Sequence, residues 1–227
     1  MSKDRATRLP DDALTAVILA AGSGIRMGGA PKTWRTWRDK PLWWWSVSAF
    51  REMADQVVLV VSPDRVEDAL KWLRESHTAA DVVAGGPSRE ASSRRGLARV
   101  KTRWVAIHDA ARPLVSPDLI ARVWEAARVD GAAVPGIRPA DTVKRVEHDT
   151  VMGTVSRDDL VLVQTPQIFL TERIVEAAGA IEAPVTDDSG WLEAMGFPVR
   201  VAPGDPDNRK MTHPADWEWL VSRGEGP

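Results

Sequence analysis

Residues 15–33 read TAVILAAGSGIRMGGAPKT, an apolar run followed directly by a loop rich in glycine. The first six residues, TAVILA (15–20), are apolar and partly β-branched, which is typical of a buried strand. The loop that follows carries two positive charges, Arg26 and Lys32. A strand that ends in such a loop predicts the edge of an α/β sheet, where ligands bind at the carboxyl ends of the strands.

The glycine loop matches neither of two common phosphate-binding patterns. A P-loop needs a lysine directly after its last glycine, but Pro31 precedes Lys32 here. The dinucleotide fingerprint needs a third glycine at the position of Met27. In the pattern that remains, AAGxGxRM and then PK, small residues let the backbone N–H groups approach phosphate oxygens closely. We therefore expect Arg26 and Lys32 to bind a triphosphate; a merely flexible turn is the alternative.

Beyond the loop, short apolar runs alternate with helical patterns. Strands are predicted at 15–20, 56–61, 81–86, 104–109, 131–137, 160–166 and 197–203, and helices at 41–53, 63–75, 90–100 and 117–128. This alternation predicts an α/β fold with a mostly parallel, Rossmann-like sheet and helices on both of its faces.

The polar stretch 137–159 interrupts this alternation. Two short β-like segments, TVKRV and TVMGTV, flank the turn-like EHD, which predicts a β-hairpin that projects from the sheet. An isolated two-stranded hairpin is marginally stable unless something packs on it. We expect a single domain over 1–227 with 138–158 as a protruding dimerisation arm; a plain surface hairpin is the alternative.

Trp43, Trp44 and Trp45 are consecutive in a predicted helix, in a chain with eleven tryptophans and no tyrosine. Consecutive helical residues lie about 100° apart, so these three indoles cannot all face one core. We expect one or two to be packed and another to be partly exposed or at a subunit contact.

Composition and charge exclude several classes of function. The net charge of −2 argues against a general nucleic-acid binder, which needs a basic face. The chain has no cysteine, so disulfides, thiolate catalysis and zinc–thiolate sites are excluded, and its four histidines have no metal-ligand spacing. The polar N-terminus lacks the apolar segment of a signal peptide, and no apolar run approaches membrane-spanning length. We expect a cytoplasmic protein without nucleic-acid or membrane partners.

At this point the motifs resemble a known enzyme family. AAGSGIRM followed by PK resembles nucleotidyltransferases that activate sugars and sugar alcohols. The chain continues with HDAARP (108–113), ADTVKR (140–145), TVSRDDL (154–160), TPQIF (165–169), TDD (186–188) and DNRKMTHPAD (207–216). In this order and spacing, over about residues 14–220, the motifs are similar to those of the 2-C-methyl-D-erythritol 4-phosphate cytidylyltransferases.

The resemblance implies a nucleotidyltransferase sheet and transfer of CMP from CTP to 2-C-methyl-D-erythritol 4-phosphate, with release of pyrophosphate, in the non-mevalonate isoprenoid pathway. A phosphate-monoester nucleophile is already anionic, so no histidine or serine base is needed. The same chemistry on D-ribitol 5-phosphate is the nearest alternative. A non-catalytic nucleotide-binding protein that keeps the fold is the other.

The resemblance also implies roles for individual residues. Three cations would neutralise the phosphates and stabilise the transition state: Arg26, Lys32 and Lys210. Cytidine would be held by Ala20, Ala21, Gly22, Gly24, Gly86 and Ser92. The polyol phosphate would contact Asp109, Arg112, Thr142, Arg157, Thr165 and Thr186, with Arg157 reaching from the hairpin of one subunit into the site of its partner in a homodimer.

Asp109 is also the predicted metal ligand. It ends the strand WVAIHD, and a carboxylate there suits Mg²⁺ or another divalent cation, which takes one or two carboxylates plus phosphate oxygens. Ordinary roles compete with these assignments: a helix-capping Asp109, a solvated Lys210 and a surface-exposed Arg157.

Overall fold

A central sheet of eight strands organises the chain. The computed structural model describes residues 10–22 and 31–223. In chain order, its strands are β1 (Leu14–Leu19), β2 (Thr36–Trp37), β3 (Lys40–Pro41), β4 (Gln56–Val61), β5 (Asp81–Ala84), β6 (Trp104–Asp109), β7 (Ala132–Ile137), β8 (Val143–Glu147), β9 (Thr150–Val155), β10 (Leu162–Val163), β11 (Gln167–Leu170) and β12 (Arg200–Pro203). Its helices are α1 (Leu42–Arg51), α2 (Val66–Glu75), α3 (Arg89–Leu97), α4 (Pro117–Asp130), α5 (Thr171–Ala180), α6 (Ser189–Ala194) and α7 (Pro214–Ser222).

The sheet is mostly parallel, as the sequence predicts. Its strands follow the order β10-β7-β11-β6-β1-β4-β5, with β12 also paired to β7. The pairs β1–β4, β1–β6, β4–β5 and β7–β12 are parallel, whereas β11 runs antiparallel to both β6 and β7. The carboxyl ends of β1, β5 and β6 therefore meet at one edge of the sheet.

Helices cover both faces of the sheet, which confirms the predicted layering. Successive side chains of a strand point to opposite faces. In β1, Ala16 and Ile18 belong to a core that includes Trp43 of α1, whereas Val17 belongs to a second core that includes Ile174 of α5. All six residues of β1 are buried, which explains why its sequence is a continuous apolar run rather than an alternating one.

Helix α3 packs against β1 through Gly96. A Cβ atom added at Gly96 would lie 2.4 Å from Cγ1 of Val17 in β1. Only a glycine permits this approach, which packs the last turn of α3 directly on β1.

The predicted strand over 160–166 is only partly present. Two residues, Leu162 and Val163, pair with β7 as β10, and the chain pairs again only from Gln167. Between the two strands, the side chain of Gln164 donates to the backbone oxygen of Asp205, at 2.8 Å. The sequence prediction was wrong at 160–161 and at 164–166. Gln164 and Thr165 bond to a loop from far along the chain, since Nδ2 of Asn208 also donates to the backbone oxygen of Thr165 at 2.8 Å. The sequence analysis also did not predict strand β11, the helices α5, α6 and α7, or the small β2–β3 hairpin.

Strands β8 and β9 form a separate antiparallel hairpin, as predicted for this stretch. His148 and Asp149 at its tip have φ angles of 44° and 62°, as both central residues of a type I′ turn require. The hairpin exposes Val146, Val151 and Met152, each by more than half. An exposed apolar surface of this kind is typical of an interaction site, although the role of the hairpin in dimerisation stays a prediction.

The tryptophan run divides as expected. Trp43 is fully buried, whereas Trp44 and Trp45 are half-buried. The indole Nε1 of Trp45 donates to the backbone oxygen of Trp37 at 3.3 Å, so this ring ties α1 to the β2–β3 hairpin. Within residues 10–22 and 31–223, no helix is both long and apolar enough to cross a membrane.

Candidate active site

A cleft of about 380 Å³ opens at the carboxyl edge of the sheet. Its walls come from the ends of β1 and β6, from the segments that follow β1 and β5, and from the loop after β12. The described residues that line it are Leu19, Ala21, Gly22, Lys32, Thr33, Gly86, Pro87, Ser88, Arg89, Ser92, Asp109, Ala111 and Lys210. This is the position at which open α/β sheets bind ligands.

A 3₁₀ turn over Lys32–Trp34 brings Lys32 to the cleft. The buried hydroxyl of Thr33 donates to the backbone oxygen of Ala20 at 3.0 Å, which fastens this turn to the end of β1. Ala20 itself is buried, with its N–H bonded to the backbone oxygen of Val60 at 2.7 Å. The predicted site residues Gly24 and Arg26 lie outside the described residues.

The turn after β5 forms the opposite wall. Ser92 is buried, and its hydroxyl accepts from the N–H of Gly86 at 3.1 Å and donates to the backbone oxygen of Ser88 at 2.9 Å. Ser88 caps α3, because its hydroxyl accepts from the N–H of Ala91 at 3.0 Å. A Cβ atom added at Gly86 would lie 2.4 Å from Cβ of Ala91. The predicted base-binding residues Gly86 and Ser92 thus fix the shape of one wall.

Asp109 lies between two cations at the floor of the cleft. Its Oδ1 accepts from Nε of Arg89 at 3.1 Å, and its Oδ2 lies 2.7 Å from Nζ of Lys210. Burial raises the pKa of the Asp109 carboxyl, but the charges of Arg89 and Lys210 outweigh burial and hold that pKa well below its usual range. Asp109 is therefore ionised, and Lys210 is directed into the cleft from the loop after β12.

Arg89 is a cleft residue that the sequence analysis missed. Besides Asp109, its guanidinium binds Asp188, with Nη2 and Oδ2 2.7 Å apart and the Asp188 side chain fully buried. Burial lowers the pKa of Arg89, but the two carboxylates outweigh burial and raise it overall. Burial raises the pKa of Asp188 despite the opposing charge of Arg89. Arg89 thus connects the base-side turn to the start of α6.

Two predicted acceptor-site residues, Arg112 and Thr165, lie beside Asp109 without lining the cleft. The N–H of Asp109 donates to Oγ1 of Thr165 at 3.1 Å, and Thr165 is buried. Nη1 of Arg112 donates to the backbone oxygen of Asn208 at 2.7 Å, and burial lowers the pKa of Arg112. His108 is fully buried next to them, and burial lowers its pKa to about 4, so its ring is neutral at pH 7.

The remaining predicted contacts are exposed and lie away from the described lining of the cleft: Thr142, Arg157 and Thr186. Arg157 donates through Nη1 to the backbone oxygen of Ala140, within its own hairpin. One protomer therefore does not bring Thr142 and Arg157 into its own cleft, and their roles stay predictions.

The cleft offers a divalent cation one carboxylate. Among the described residues there is no cluster of three or more histidine and carboxylate ligands. Among residues 10–22 and 31–223, each Asp109 oxygen has one partner, and a carboxylate can accept about four hydrogen bonds or ligand contacts in all. Asp109 fits a Mg²⁺ ion that takes most of its other ligands from phosphates and water.

Known proteins resemble this chain in both sequence and fold. A family model described as 2-C-methyl-D-erythritol 4-phosphate cytidylyltransferase matches residues 14–220. A protein of that name from Roseobacter denitrificans is 40% identical, over 89% of this chain and 92% of its own length. A longer relative, the bifunctional enzyme IspD/IspF of Solidesulfovibrio magneticus, is also 40% identical; 94% of this chain aligns with 58% of that protein.

Solved structures agree with the sequence matches. The crystal structure of 2-C-methyl-D-erythritol 4-phosphate cytidylyltransferase from Thermus thermophilus superposes with a TM-score of 0.79 at 32% identity, over 91% of this chain and 96% of that one. A structure titled 4-diphosphocytidyl-2C-methyl-D-erythritolsynthase, from Anaerococcus prevotii, gives a TM-score of 0.81 at 28% identity, over 94% and 98% of the two chains. With its fold, its motifs and its alignment over nearly the whole length in agreement, the chain belongs to the 2-C-methyl-D-erythritol 4-phosphate cytidylyltransferase family.

Proposed function

We propose that the chain transfers CMP from CTP to 2-C-methyl-D-erythritol 4-phosphate, releasing pyrophosphate and forming 4-CDP-2-C-methyl-D-erythritol. One observation carries the proposal: Lys32, Lys210 and Asp109 line the same cleft as the turn from Gly86 to Ser92. The cleft thus combines cations for a triphosphate with a closely packed wall for a flat base. Family membership supports the identity of both substrates.

The nucleophile is an oxygen of the acceptor's phosphate monoester. The second pKa of such a group is about 6, so the group is mostly a dianion at pH 7. This oxygen forms a bond to the α-phosphorus of CTP, and the bond from that phosphorus to the bridging oxygen breaks. Pyrophosphate leaves with the electron pair. No proton has to be removed, which agrees with a neutral, buried His108 that faces the protein interior.

Catalysis in this scheme comes from alignment of two anions and from stabilisation of the charge on the α-phosphoryl group. Lys32 at the β1 side of the cleft, together with Arg26, serves the triphosphate and the leaving pyrophosphate. Lys210 serves the α-phosphoryl oxygens, and its ion pair with Asp109 holds the ammonium group in place. Asp109 would hold Mg²⁺, which neutralises phosphate charge when bound.

The base and the acceptor would bind on opposite sides of Asp109. Backbone groups of the segments 20–22 and 85–88 would face cytosine, where a carbonyl oxygen accepting from the exocyclic amine would discriminate against uracil. Arg112, Thr165 and Thr186 would lie on the acceptor side. Thr142 and Arg157 would come from the hairpin of a second copy of the chain, because one protomer leaves them away from its own cleft.

A pyrophosphate-release assay tests the proposed reaction. We expect release from CTP and Mg²⁺ only when 2-C-methyl-D-erythritol 4-phosphate is added, with D-ribitol 5-phosphate turned over far less efficiently. A preference for ribitol phosphate would overturn the acceptor assignment. No pyrophosphate release with either acceptor would indicate a nucleotide-binding protein without this activity.

Mixing two inactive variants tests the contribution of a second copy. Lys32→Ala removes a cation of the cleft, and Arg157→Ala removes the proposed contribution of the hairpin. In a mixed dimer, one site would combine an intact Lys32 with an intact Arg157 from the partner, so the mixture should regain activity. A mixture as inactive as its components, at concentrations where light scattering shows a dimer, would contradict the contribution across subunits.

A further inference from the structure

Four residues beneath the cleft form a closed ring of hydrogen bonds. Nη1 of Arg112 donates to the backbone oxygen of Asn208 at 2.7 Å, and Nδ2 of Asn208 donates to the backbone oxygen of Thr165 at 2.8 Å. Oγ1 of Thr165 lies 3.1 Å from Nδ1 of His108, and Nε2 of His108 lies 3.1 Å from the backbone oxygen of Arg112. The ring links the loop after β6, the start of β11 and the loop after β12.

The chemistry of the acceptors determines the direction of every bond in this ring. A backbone carbonyl only accepts, so Nε2 of His108 must carry the proton that faces Arg112. Oγ1 of Thr165 is buried and already accepts from the N–H of Asp109, and Nδ1 of His108 is the acceptor that the described residues place within reach of its hydroxyl proton, so Nδ1 is unprotonated. The hydroxyl proton of Thr165 must then point to Nδ1 of His108.

The oxygen of Thr165 has a second partner. It accepts from the N–H of Asp109 at 3.1 Å, in a bond that is fully buried. The hydroxyl of Thr165 donates its one proton to Nδ1 of His108, and its oxygen accepts from the N–H of Asp109. Thr165 therefore has no donor left for a ligand, although the family resemblance places this residue at the acceptor.

We propose that His108 and Thr165 are positioning residues for the polyol phosphate, and that Thr165 cannot donate a hydrogen bond to its phosphate. They act through the backbone, since Thr165 holds the N–H of Asp109 and His108 holds the carbonyl of Arg112. Any direct contact of Thr165 with the acceptor would be with a hydroxyl group that donates to its oxygen. This inference rests on the proposed function for the identity of the acceptor, but not for the direction of the ring.

The donor and acceptor of each hydrogen bond at His108 can be identified in the wild-type protein without any substrate. In ¹⁵N spectra of histidine-labelled protein at neutral pH, the signals lost in His108→Gln identify this residue. We expect Nε2 of His108 to resonate as a protonated nitrogen and Nδ1 as an unprotonated one that accepts a hydrogen bond. In Thr165→Val the Nδ1 signal should move towards that of a free nitrogen, and in Thr165→Ser it should return. A protonated Nδ1 in the wild type would overturn the proposal.

Steady-state kinetics separate positioning from a merely structural role. Thr165→Val should raise the KM for the methylerythritol phosphate acceptor about tenfold, as expected from loss of roughly one hydrogen bond that orders the site, and leave the KM for CTP within about twofold. Thr165→Ser should restore the wild-type values. Thr15 is the matched control: its buried hydroxyl also has two partners, Gln56 and Thr102, and it lies at the amino end of β1, so Thr15→Val should leave both KM values unchanged.

Equal changes in both KM values, or no larger an acceptor effect in Thr165→Val than in Thr15→Val, would overturn the positioning role. A wild-type protein that turned over no polyol phosphate would instead overturn the proposed function. In that case the tautomer of His108, measured on the wild-type protein, would still test the direction of the hydrogen bonds in the ring. The same measurement applies if Thr165→Val does not fold.

Discussion

Arg89 is the residue whose removal should reveal most about how the cleft is held together. The substitution Arg89→Met keeps the length and most of the apolar stem of the side chain but removes the guanidinium. Asp109 would keep its contact with Lys210 at 2.7 Å. Asp188, with a fully buried side chain, would lose the ion pair that the described part of the chain provides for it.

The expected loss in free energy of unfolding follows from the unpaired carboxylate of Asp188. Removal of one partner of a buried ion pair costs about 3–5 kcal/mol, because a charge is left buried without compensation. The side chain of Arg89 is 31% exposed, and Asp188 can take up a proton because burial raises its pKa. Both facts reduce the loss, so we expect a destabilisation of about 3 kcal/mol at pH 7. Adding Asp188→Asn to Arg89→Met should recover about 1–2 kcal/mol, because it removes the unpaired charge.

Urea denaturation followed by tryptophan fluorescence measures both effects, with the m-value reporting whether the unfolding transition stays comparable. Arg200→Met is the matched control. Arg200 likewise makes two charged contacts, but both are with Oδ2 of Asp130, at 2.9 and 2.7 Å, and its side chain is 46% exposed. Surface pairs contribute about 0–1 kcal/mol, so this variant should lose little. Similar losses in Arg89→Met and Arg200→Met, or no recovery with Asp188→Asn, would refute the assignment of Arg89 as the ion-pair link beneath the cleft.

Three further predictions use the same structure. Lys210→Ala should lower kcat/KM about a hundredfold in the pyrophosphate assay, through loss of transition-state stabilisation, whereas Lys71→Ala on the exposed face of α2 should change it little. Ser88→Ala and Ser116→Ala each remove a helix N-cap and should each cost about 1 kcal/mol in urea denaturation, but only Ser88→Ala should also raise the KM for CTP. His108 has a folded-state pKa of about 4, below its unfolded value, so its contribution to stability is present above pH 6.5 and decreases as the pH falls towards 4. The loss should be about 3 kcal/mol, and the pH dependence should be correspondingly weaker in His108→Gln.

Each of these three predictions has a clear contrary result. Near-normal turnover by Lys210→Ala would mean that this lysine is only a solvated surface cation. A CTP effect shared by Ser88→Ala and Ser116→Ala would reflect general destabilisation rather than the shape of the cleft. An unchanged pH profile of stability in His108→Gln would show that His108 does not resist protonation in the folded state.

The layout of the fold was predictable because its central strands are buried on both faces. Such strands are continuous apolar runs, and β1, β4 and β6 lie within a residue or two of the predicted segments. The prediction of a strand over 160–166 was wrong for a different reason. Polar residues of this segment bond to the loop 205–208, more than 40 residues later, and a local pattern carries no signal of that partner.

In the site, too, local sequence patterns predict some residues, whereas others depend on contacts between distant parts of the chain. Asp109 could be placed at the sheet edge because it ends a predicted strand, and Lys32 because it lies in the glycine loop that follows another. Arg89 could not, since its two carboxylate partners are 20 and 99 residues away along the chain. The clustered charge at Asp109 and Asp188 becomes visible only when β6, α3 and α6 are packed together. Ser92 lines the cleft with its hydroxyl bonded within the turn, and its contact with the base stays a prediction.

We propose that CTP occupies the cleft at the carboxyl edge of β1, β5 and β6. A crystal structure of the protein with CTP and Mg²⁺ would locate the nucleotide. We predict cytosine against the turn from Gly86 to Ser88, the phosphates between Lys32 and Lys210, and the metal ion on Asp109. A nucleotide bound elsewhere, or a cleft that stays empty at saturating CTP, would show that this cleft is not the CTP site.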